Sequence, residues 1–283
     1  MERKKFKELN LSNAFLFAAA LADEETCGIV LELILGKKFP KLTVRTEHTV
    51  LFSSEFRSVR FDVYATDETE VSYNLEMENK NRGNLPKRVR YHQAEMDVTS
   101  LKPGEDFNDL KPSYVIFICR FDPFGDGLYQ YTFEERCLEN NRPLGDETVK
   151  IFLNIKGKNN HEVPKALVDF LKYVENSTDT KANESSNVGL QKLHEKVQKL
   201  KESRALEEKF MYLTEWLEDE LEDCREEVRA EARAEGMAEG RAEGRNQLLE
   251  LIKCMVEANE QELIPRLTID TAFFEEMLKK YHL

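Results

Sequence analysis

The chain has 283 residues, of which 34% are charged, and it is long enough for one large domain or two smaller ones. Its formal net charge of −13 counts against a protein that coats nucleic acid through a uniformly basic surface. No apolar run approaches the roughly 18 residues that a membrane-spanning helix needs. The basic start is not followed by an apolar stretch with a small-residue cleavage site, so we expect neither a membrane segment nor a signal peptide.

The cysteines indicate a reducing environment. They are five in number and scattered along the chain, at Cys27, Cys119, Cys137, Cys224 and Cys254. An odd, dispersed set does not make a disulfide framework, and the five equally dispersed histidines do not complete a zinc site. We therefore expect a cytoplasmic protein with free thiols.

The first elements are predicted from apolar periodicity. Residues 12–36 have apolar side chains at helical spacing and end at Gly36, which is typical of a helix stop. A strand is predicted at about 42–52. Two further strands are predicted at 60–65 and 73–79, and the charged turn between them indicates a hairpin.

A crossover unit follows this hairpin. Residues 85–101 are amphipathic and end before Lys102-Pro103-Gly104, a stop signal. Residues 114–119 are continuously apolar, as in a strand buried on both faces. Strand, helix and strand then form a βαβ unit with parallel strands. The remaining elements predicted in this half are strands at 128–133 and 150–155 and a helix at 163–173.

The polar stretch after residue 175 suggests a domain boundary. We predict a first domain at 1–175, a linker at 176–188, and a helical C-terminal arm at 189–283 with shorter terminal helices at 247–257 and 270–281. The repeated Ala-Glu-Gly motif places Gly236, Gly240 and Gly244 four residues apart, so on a helix they form a strip. The strip fits either close approach of another helix, as in a homo-oligomer, or a solvated helix.

The hairpin carries the candidate chemistry. With the turn centred near Thr69, Asp62 faces Glu76 and Arg60 faces Glu78, and because side chains alternate along a strand, the other face is apolar. Opposed carboxylates repel each other, and a divalent cation between them removes that repulsion. Hard oxygen ligands suit Mg²⁺ or Mn²⁺. An exposed strand face with screened ion pairs to Arg60 is the alternative.

The order and spacing of several segments resemble a known family. These segments are 60–64 (RFDVY), 73–79 (YNLEMEN), 84–93 (NLPKRVRYHQ), 114–119 (YVIFIC), 121–125 (FDPFG), 131–133 (YTF) and 153–157 (LNIKG). The chain over about residues 8–175 is similar to the PD-(D/E)XK nuclease family transposases, also called recombination-promoting nucleases. The resemblance implies an α/β fold: a restriction-endonuclease-like mixed sheet flanked by helices, here followed by the α-helical C-terminal region.

The resemblance also implies roles for individual residues. Asp62 and Glu76 would be the acidic ligands of Mg²⁺, with Mn²⁺ as a substitute, and the carbonyl of Met77 would complete the protein ligands. The third motif position, glutamine in this family and lysine in other PD-(D/E)XK enzymes, is Glu78 here. A carboxylate there can bind a second metal or act as general base but cannot stabilise developing negative charge. Lys80 is the candidate for the missing positive charge.

The helix after the hairpin supplies the remaining candidates. Gln93 matches the family's glutamine and is expected to reach the site. The residues expected to contact DNA are Arg82, Lys87, Arg88, Arg90 and Tyr91. The function predicted is a metal-dependent endonuclease of double-stranded DNA, acting in recombination or mobile-element biology. The alternative, favoured by Glu78, is a nuclease-fold protein with weakened catalysis that binds DNA or a partner and assembles through its C-terminal helices.

Overall fold

The predicted sheet has six strands in the described part of the chain. The computed structural model describes residues 5–50 and 59–283, without the side chains of residues 47–50, 59–61, 217 and 221. The predicted residues 51 and 52 of the first strand lie outside it. The strands are β1 (Leu42–Val50), β2 (Val59–Asp67), β3 (Ser72–Glu78), β4 (Ser113–Cys119), β5 (Gln130–Phe133) and β6 (Thr148–Asn154).

The sheet is mixed, as predicted. Its strands lie in the order β1-β2-β3-β4-β6-β5. β3, β4 and β6 are mutually parallel, and the other neighbours are antiparallel. A parallel pair cannot be joined by a tight turn, so the chain between β3 and β4 crosses one face of the sheet as α3 (Leu85–Ser100), which confirms the βαβ unit.

One face of the sheet is covered by helices from both ends of the first 211 residues. The helices are α1 (Ala14–Leu21), α2 (Glu24–Leu35), α4 (Lys165–Glu175) and α6 (Val188–Lys201). They share a large apolar core with the strand residues Val63, Leu75 and Ile116. Gly36 ends α2 in the left-handed conformation, with φ of 70°, which glycine adopts without steric cost.

The other face of the sheet is covered by α3. Leu85, Val89 and Met96 pack with Val115 and Phe117 of β4 in a second, smaller core. The polar face of β3 is therefore buried: Asn74 is 0% exposed, Glu76 3% and Glu78 8%. The alternative of an exposed, solvated charged face on this strand is therefore wrong. The sequence could not decide this point, because the periodicity of a single strand does not show which helix lies over it.

The segment predicted as a linker is folded into the first compact unit. It contains α5 (Asp179–Asn183), and Ser177, Ala182 and Ser185 are buried. The hydroxyl of Ser177 accepts a 2.8 Å hydrogen bond from the N–H of Leu11, which ties this segment to the start of the chain. The chain divides into two compact units, Met1–Met211 and Tyr212–Leu283, so the boundary lies further along the chain than we predicted from polar composition.

The C-terminal region is helical. α7 (Arg204–Glu257) is 54 residues long and continues through the three repeat glycines, so the predicted helix at 247–257 is its last part. A 3-10 helix (Gln261–Thr268) and α8 (Thr271–Tyr281) follow. A small apolar cluster packs them against the end of α7 through Leu251, Met255, Leu267, Phe273 and Met277. Within the described residues, no helix is both long and apolar enough to cross a membrane.

Candidate functional site

The turn between β2 and β3 sets which residues face each other. The Asp67 carboxylate accepts hydrogen bonds from the N–H groups of Thr69 (2.9 Å) and Val71 (3.1 Å), and also from the Tyr73 hydroxyl (2.8 Å). An aspartate that binds main-chain groups two and four residues on closes a turn locally. The resulting register pairs Val63 with Leu75, and this confirms the prediction that Asp62 lies across from Glu76.

The two carboxylates bind main-chain groups of the opposite strand at this end of the hairpin. The register of described pairs between β2 and β3 ends at Val63 and Leu75. Beyond it, the N–H of Asp62 donates to Oε1 of Glu76 (3.1 Å), and the N–H of Met77 donates to Oδ2 of Asp62 (3.0 Å). Each carboxylate is thus fixed by the main chain of the opposite strand, with the two side chains next to each other.

Glu76 is held in a buried, electrostatically unfavourable position. Burial, followed by the negative charge of Asp62, raises the pKa of its carboxyl above that of an ordinary glutamate. The Asn74 amide offsets part of this by donating a 2.8 Å hydrogen bond to Oε1. An acidic pair with one buried member is common at functional sites, because a bound cation relieves the repulsion between the two carboxylates.

The carbonyl of Met77 points to the same side as the Asp62 carboxylate. In a strand, the N–H and C=O groups of one residue share a side, and successive residues alternate sides. The carbonyl of Glu78 accepts from the N–H of Arg120 on the β4 side, and the N–H of Met77 donates towards β2. The Met77 carbonyl is therefore directed towards β2, where Asp62 lies.

A polar network behind Glu76 was not predicted from the sequence. The Asn74 amide nitrogen is committed to Glu76, so its Oδ1 accepts from Nδ1 of His92 at 3.1 Å. Burial, followed by the positive charge of Arg88, lowers the pKa of His92 to about 4. His92 is thus a neutral, buried histidine. The network could have been anticipated in part, because side chains alternate along β3 and Asn74 therefore lies on the same face as Glu76.

Glu78 is paired with Arg88. The guanidinium of Arg88 forms an ion pair with Oε2 of Glu78 through Nη1, while Nη2 lies 3.8 Å from Oε2 of Glu76. The guanidinium also sits 5.1 Å from the centre of the Phe117 ring. Arg88 was one of the basic residues predicted near the site, and these contacts place its side chain beside the carboxylates of Glu76 and Glu78. The predicted pairing of the Arg60 side chain lies outside the described residues.

The other predicted residues are placed further out. Lys80 approaches Glu78 through its main-chain N–H (3.2 Å), and its side chain is exposed. Arg82, Lys87, Arg90 and Tyr91 are also exposed, the last three on the outer side of α3. Gln93 does not reach towards Glu76. Its amide nitrogen donates to Ser113 (2.5 Å) and to Asp97 (3.1 Å), and its buried carbonyl oxygen has no partner among the described residues.

The donor set suits a hard divalent cation. Among the described residues, no group of three or more His, Cys, Asp or Glu side chains is arranged to hold a metal ion. The oxygen groups at this end of the hairpin are the carboxylates of Asp62 and Glu76 and the main-chain carbonyl of Met77, which is directed towards β2. Such a set fits Mg²⁺ or Mn²⁺, which retain several water ligands and need few protein ligands. It does not fit zinc, which prefers nitrogen and sulfur.

Comparison with protein families gives a match over more than half of the chain. The model of the PD-(D/E)XK nuclease family transposases matches residues 31–231, which include the whole sheet and α3. The chain belongs to this family. The match indicates a nuclease and a connection with mobile elements, in a family whose enzymes generally use divalent metals. Searches among curated proteins and among solved structures found no match.

Proposed function

We propose that this family member is a metal-dependent endonuclease that hydrolyses phosphodiester bonds in double-stranded DNA, in recombination or mobile-element biology. The observation that supports it most directly is the arrangement of Asp62 and Glu76. They are adjacent carboxylates at the open end of a hairpin, each held by the main chain of the other strand. Two like charges side by side, one of them buried, are unfavourable unless a positive charge compensates for them.

The residues that would hold the metal are Asp62, Glu76 and the carbonyl of Met77. A bound Mg²⁺ or Mn²⁺ would lower the pKa of a coordinated water and neutralise charge on the phosphate. Hydrogen bonds hold the carboxylates of Asp62 and Glu76 in place before any metal binds. Asn74, which His92 contacts in turn, holds Glu76 in one orientation.

The residues around these carboxylates would bind and orient the DNA. Among the cationic side chains that the structure describes, Arg88 lies 3.8 Å from the Glu76 carboxylate, and Lys80, Arg82, Lys87, Arg90 and Tyr91 lie on the exposed surface that follows β3. Arginine and lysine on such a surface neutralise phosphates and fix the register of the duplex. Because Gln93 donates to Ser113 of β4, we propose that it positions the helix α3 on the sheet, and with it Arg88.

The proposal is tested by nicking of supercoiled plasmid. The wild-type protein is incubated with Mg²⁺, with Mn²⁺ and with EDTA, beside Asp62→Ala, Glu76→Ala and a control, Asp109→Ala, at an exposed carboxylate away from the site. We expect cutting with either metal, none with EDTA, and loss of cutting in the first two variants alone. Cutting that persists in EDTA or in both site variants would contradict the assignment.

A second candidate function is binding without cleavage. The ion pair between Glu78 and Arg88 favours it, because a carboxylate stands where related enzymes have a cationic or neutral group, and this carboxylate also neutralises Arg88. In that case the protein would bind DNA or a partner and would assemble through its C-terminal helices. Plasmid that stays intact with both metals, together with a measurable DNA affinity, would support this candidate over the nuclease.

A further inference from the structure

Arg88 lies between two carboxylates that differ in their importance for the proposed function. Its Nη1 is in direct contact with Glu78, and its Nη2 lies 3.8 Å from Oε2 of Glu76, beyond hydrogen-bonding distance. A guanidinium has several N–H groups in a rigid plane and can bind one carboxylate while facing another. The side chain is 34% exposed and rests on the Phe117 ring, so it can turn about its stem without leaving α3.

A cation in direct contact with Glu76 would interfere with a metal. Glu76 is almost completely buried and repelled by Asp62, so it strongly attracts any positive group that can approach it. Oε1 of Glu76 already accepts hydrogen bonds from Asn74 and Asp62. Oε2 faces Arg88. An arginine and a divalent ion would therefore compete for this oxygen.

We propose that Glu78 is a positioning residue that holds Arg88 away from Glu76 and so keeps the Glu76 carboxylate accessible to a divalent cation. This inference rests on the proposed metal-dependent function and explains how a glutamate can serve at the third motif position. Glu78 contacts Arg88 more closely than Glu76 does, and its second oxygen is fixed by the N–H of Lys80. A neutral glutamine at this position would hold the guanidinium less strongly, and Arg88 would close on Glu76.

The proposal predicts how two substitutions combine. Titration calorimetry with Mn²⁺ alone, without DNA, is carried out on the wild type, Glu78→Gln, Arg88→Gln and the double variant. We expect Glu78→Gln to weaken Mn²⁺ binding. We also expect Arg88→Gln to strengthen binding much more in the Glu78→Gln background than in the wild type, with a difference on the order of tenfold, as for residues in direct contact.

Two other patterns would overturn the proposal. If Arg88→Gln changes Mn²⁺ affinity equally in the wild type and in the Glu78→Gln variant, then Glu78 and Arg88 each act on the metal independently, and Glu78 does not hold Arg88 in place. A larger effect in the wild type would mean that Glu78 is itself a metal ligand masked by Arg88. If no variant and no wild-type protein binds Mn²⁺, the proposed metal dependence fails, and this inference fails with it; Mn²⁺ binding with either of the first two patterns leaves the proposed function intact.

A matched ion pair provides the control. Glu134 and Arg136 form an exposed pair just after β5, at the opposite end of the sheet, so Glu134→Gln, Arg136→Gln and their combination should leave Mn²⁺ binding unchanged. Circular dichroism checks the fold of every variant. If Arg88→Gln does not fold, Arg88→Met keeps the aliphatic stem on the Phe117 ring while removing the charge, and the same cycle is measured with it.

Discussion

The main-chain N–H of Asp62 donates a 3.1 Å hydrogen bond to the carboxylate of Glu76, which faces it from the neighbouring strand. The Asp62 carboxylate in turn accepts from the N–H of Met77. This reciprocal arrangement holds two acidic groups together at the end of a hairpin. Its consequence is that two acidic groups, one of them buried, lie side by side, which raises the pKa of Glu76.

Removal of the Asn74 amide should destabilise the protein. Asn74→Leu is close in size but removes the buried hydrogen bonds that the amide makes with Oε1 of Glu76 and with Nδ1 of His92. A hydrogen bond contributes about 0.5–1.5 kcal/mol, and more when an ionised group takes part, so urea denaturation should show a loss of about 1–3 kcal/mol. Asn108→Leu, at an exposed asparagine, is the control and should change stability little. Equal stability of the two variants would show that the network does not hold Glu76.

Metal binding should depend on pH and release protons. The pKa of Glu76 is raised by burial and by Asp62, so part of the metal-free protein carries a proton on this carboxyl near neutral pH. A cation binds the deprotonated form, and its affinity should therefore rise between about pH 6 and about pH 8. Calorimetry of Mn²⁺ in buffers of different ionisation enthalpy measures the proton release. Glu76→Gln should release none; proton release that persists in this variant would assign the titration to another group.

DNA affinity should depend on the basic residues on the outer side of α3. Lys87 and Arg90 are exposed there, and each phosphate contact adds roughly 0.9 to the slope of log affinity against log salt concentration. Lys87→Gln and Arg90→Gln should each reduce that slope by about one in EDTA. Arg136→Gln removes the same charge at the far end of the sheet and should not. A slope that stays constant in all three would place the DNA elsewhere.

The local chemistry of the hairpin was predictable, whereas its surroundings were not. The turn and the alternation of β2 and β3 depend on adjacent residues, so the opposition of Asp62 and Glu76 followed from the sequence. The burial of Glu76 depends on α3, and the pairing of Glu78 with Arg88 depends on how that helix is rotated over β4. Strand periodicity carries no information about either.

The same limit applies to the domain boundary. Residues 176–188 are polar in composition, but short-range polar contacts and a few buried side chains, such as Ala182, fold them onto the first unit. Conversely, three glycines did not interrupt α7. Each glycine lowers helix stability by roughly 1 kcal/mol relative to alanine, and this is too little to interrupt a helix that is 54 residues long.

The glycine strip offers a test of self-association. A Cβ placed on Gly236, Gly240 or Gly244 would meet no described atom within 4 Å beyond the helix backbone. No close packing in the described chain therefore offsets the loss of helix stability that these glycines cause. We predict that a second copy packs there. Replacing all three with alanine should raise helicity yet lower the mass measured by light scattering, whereas Arg241→Ala should leave the mass unchanged. A monomeric mass for the wild type would contradict the prediction.

The central claim is that Asp62 and Glu76 are the metal ligands of a nuclease, and single-turnover cleavage of a labelled DNA duplex tests it most directly. Asp62→Asn and Glu76→Gln keep the shape of each side chain and remove its charge, and Glu162→Gln, at an exposed glutamate, is the control. The predicted result is Mg²⁺-dependent cleavage that falls by at least about 100-fold in both site variants and is unchanged in the control. Cleavage at the wild-type rate by either site variant would contradict the account.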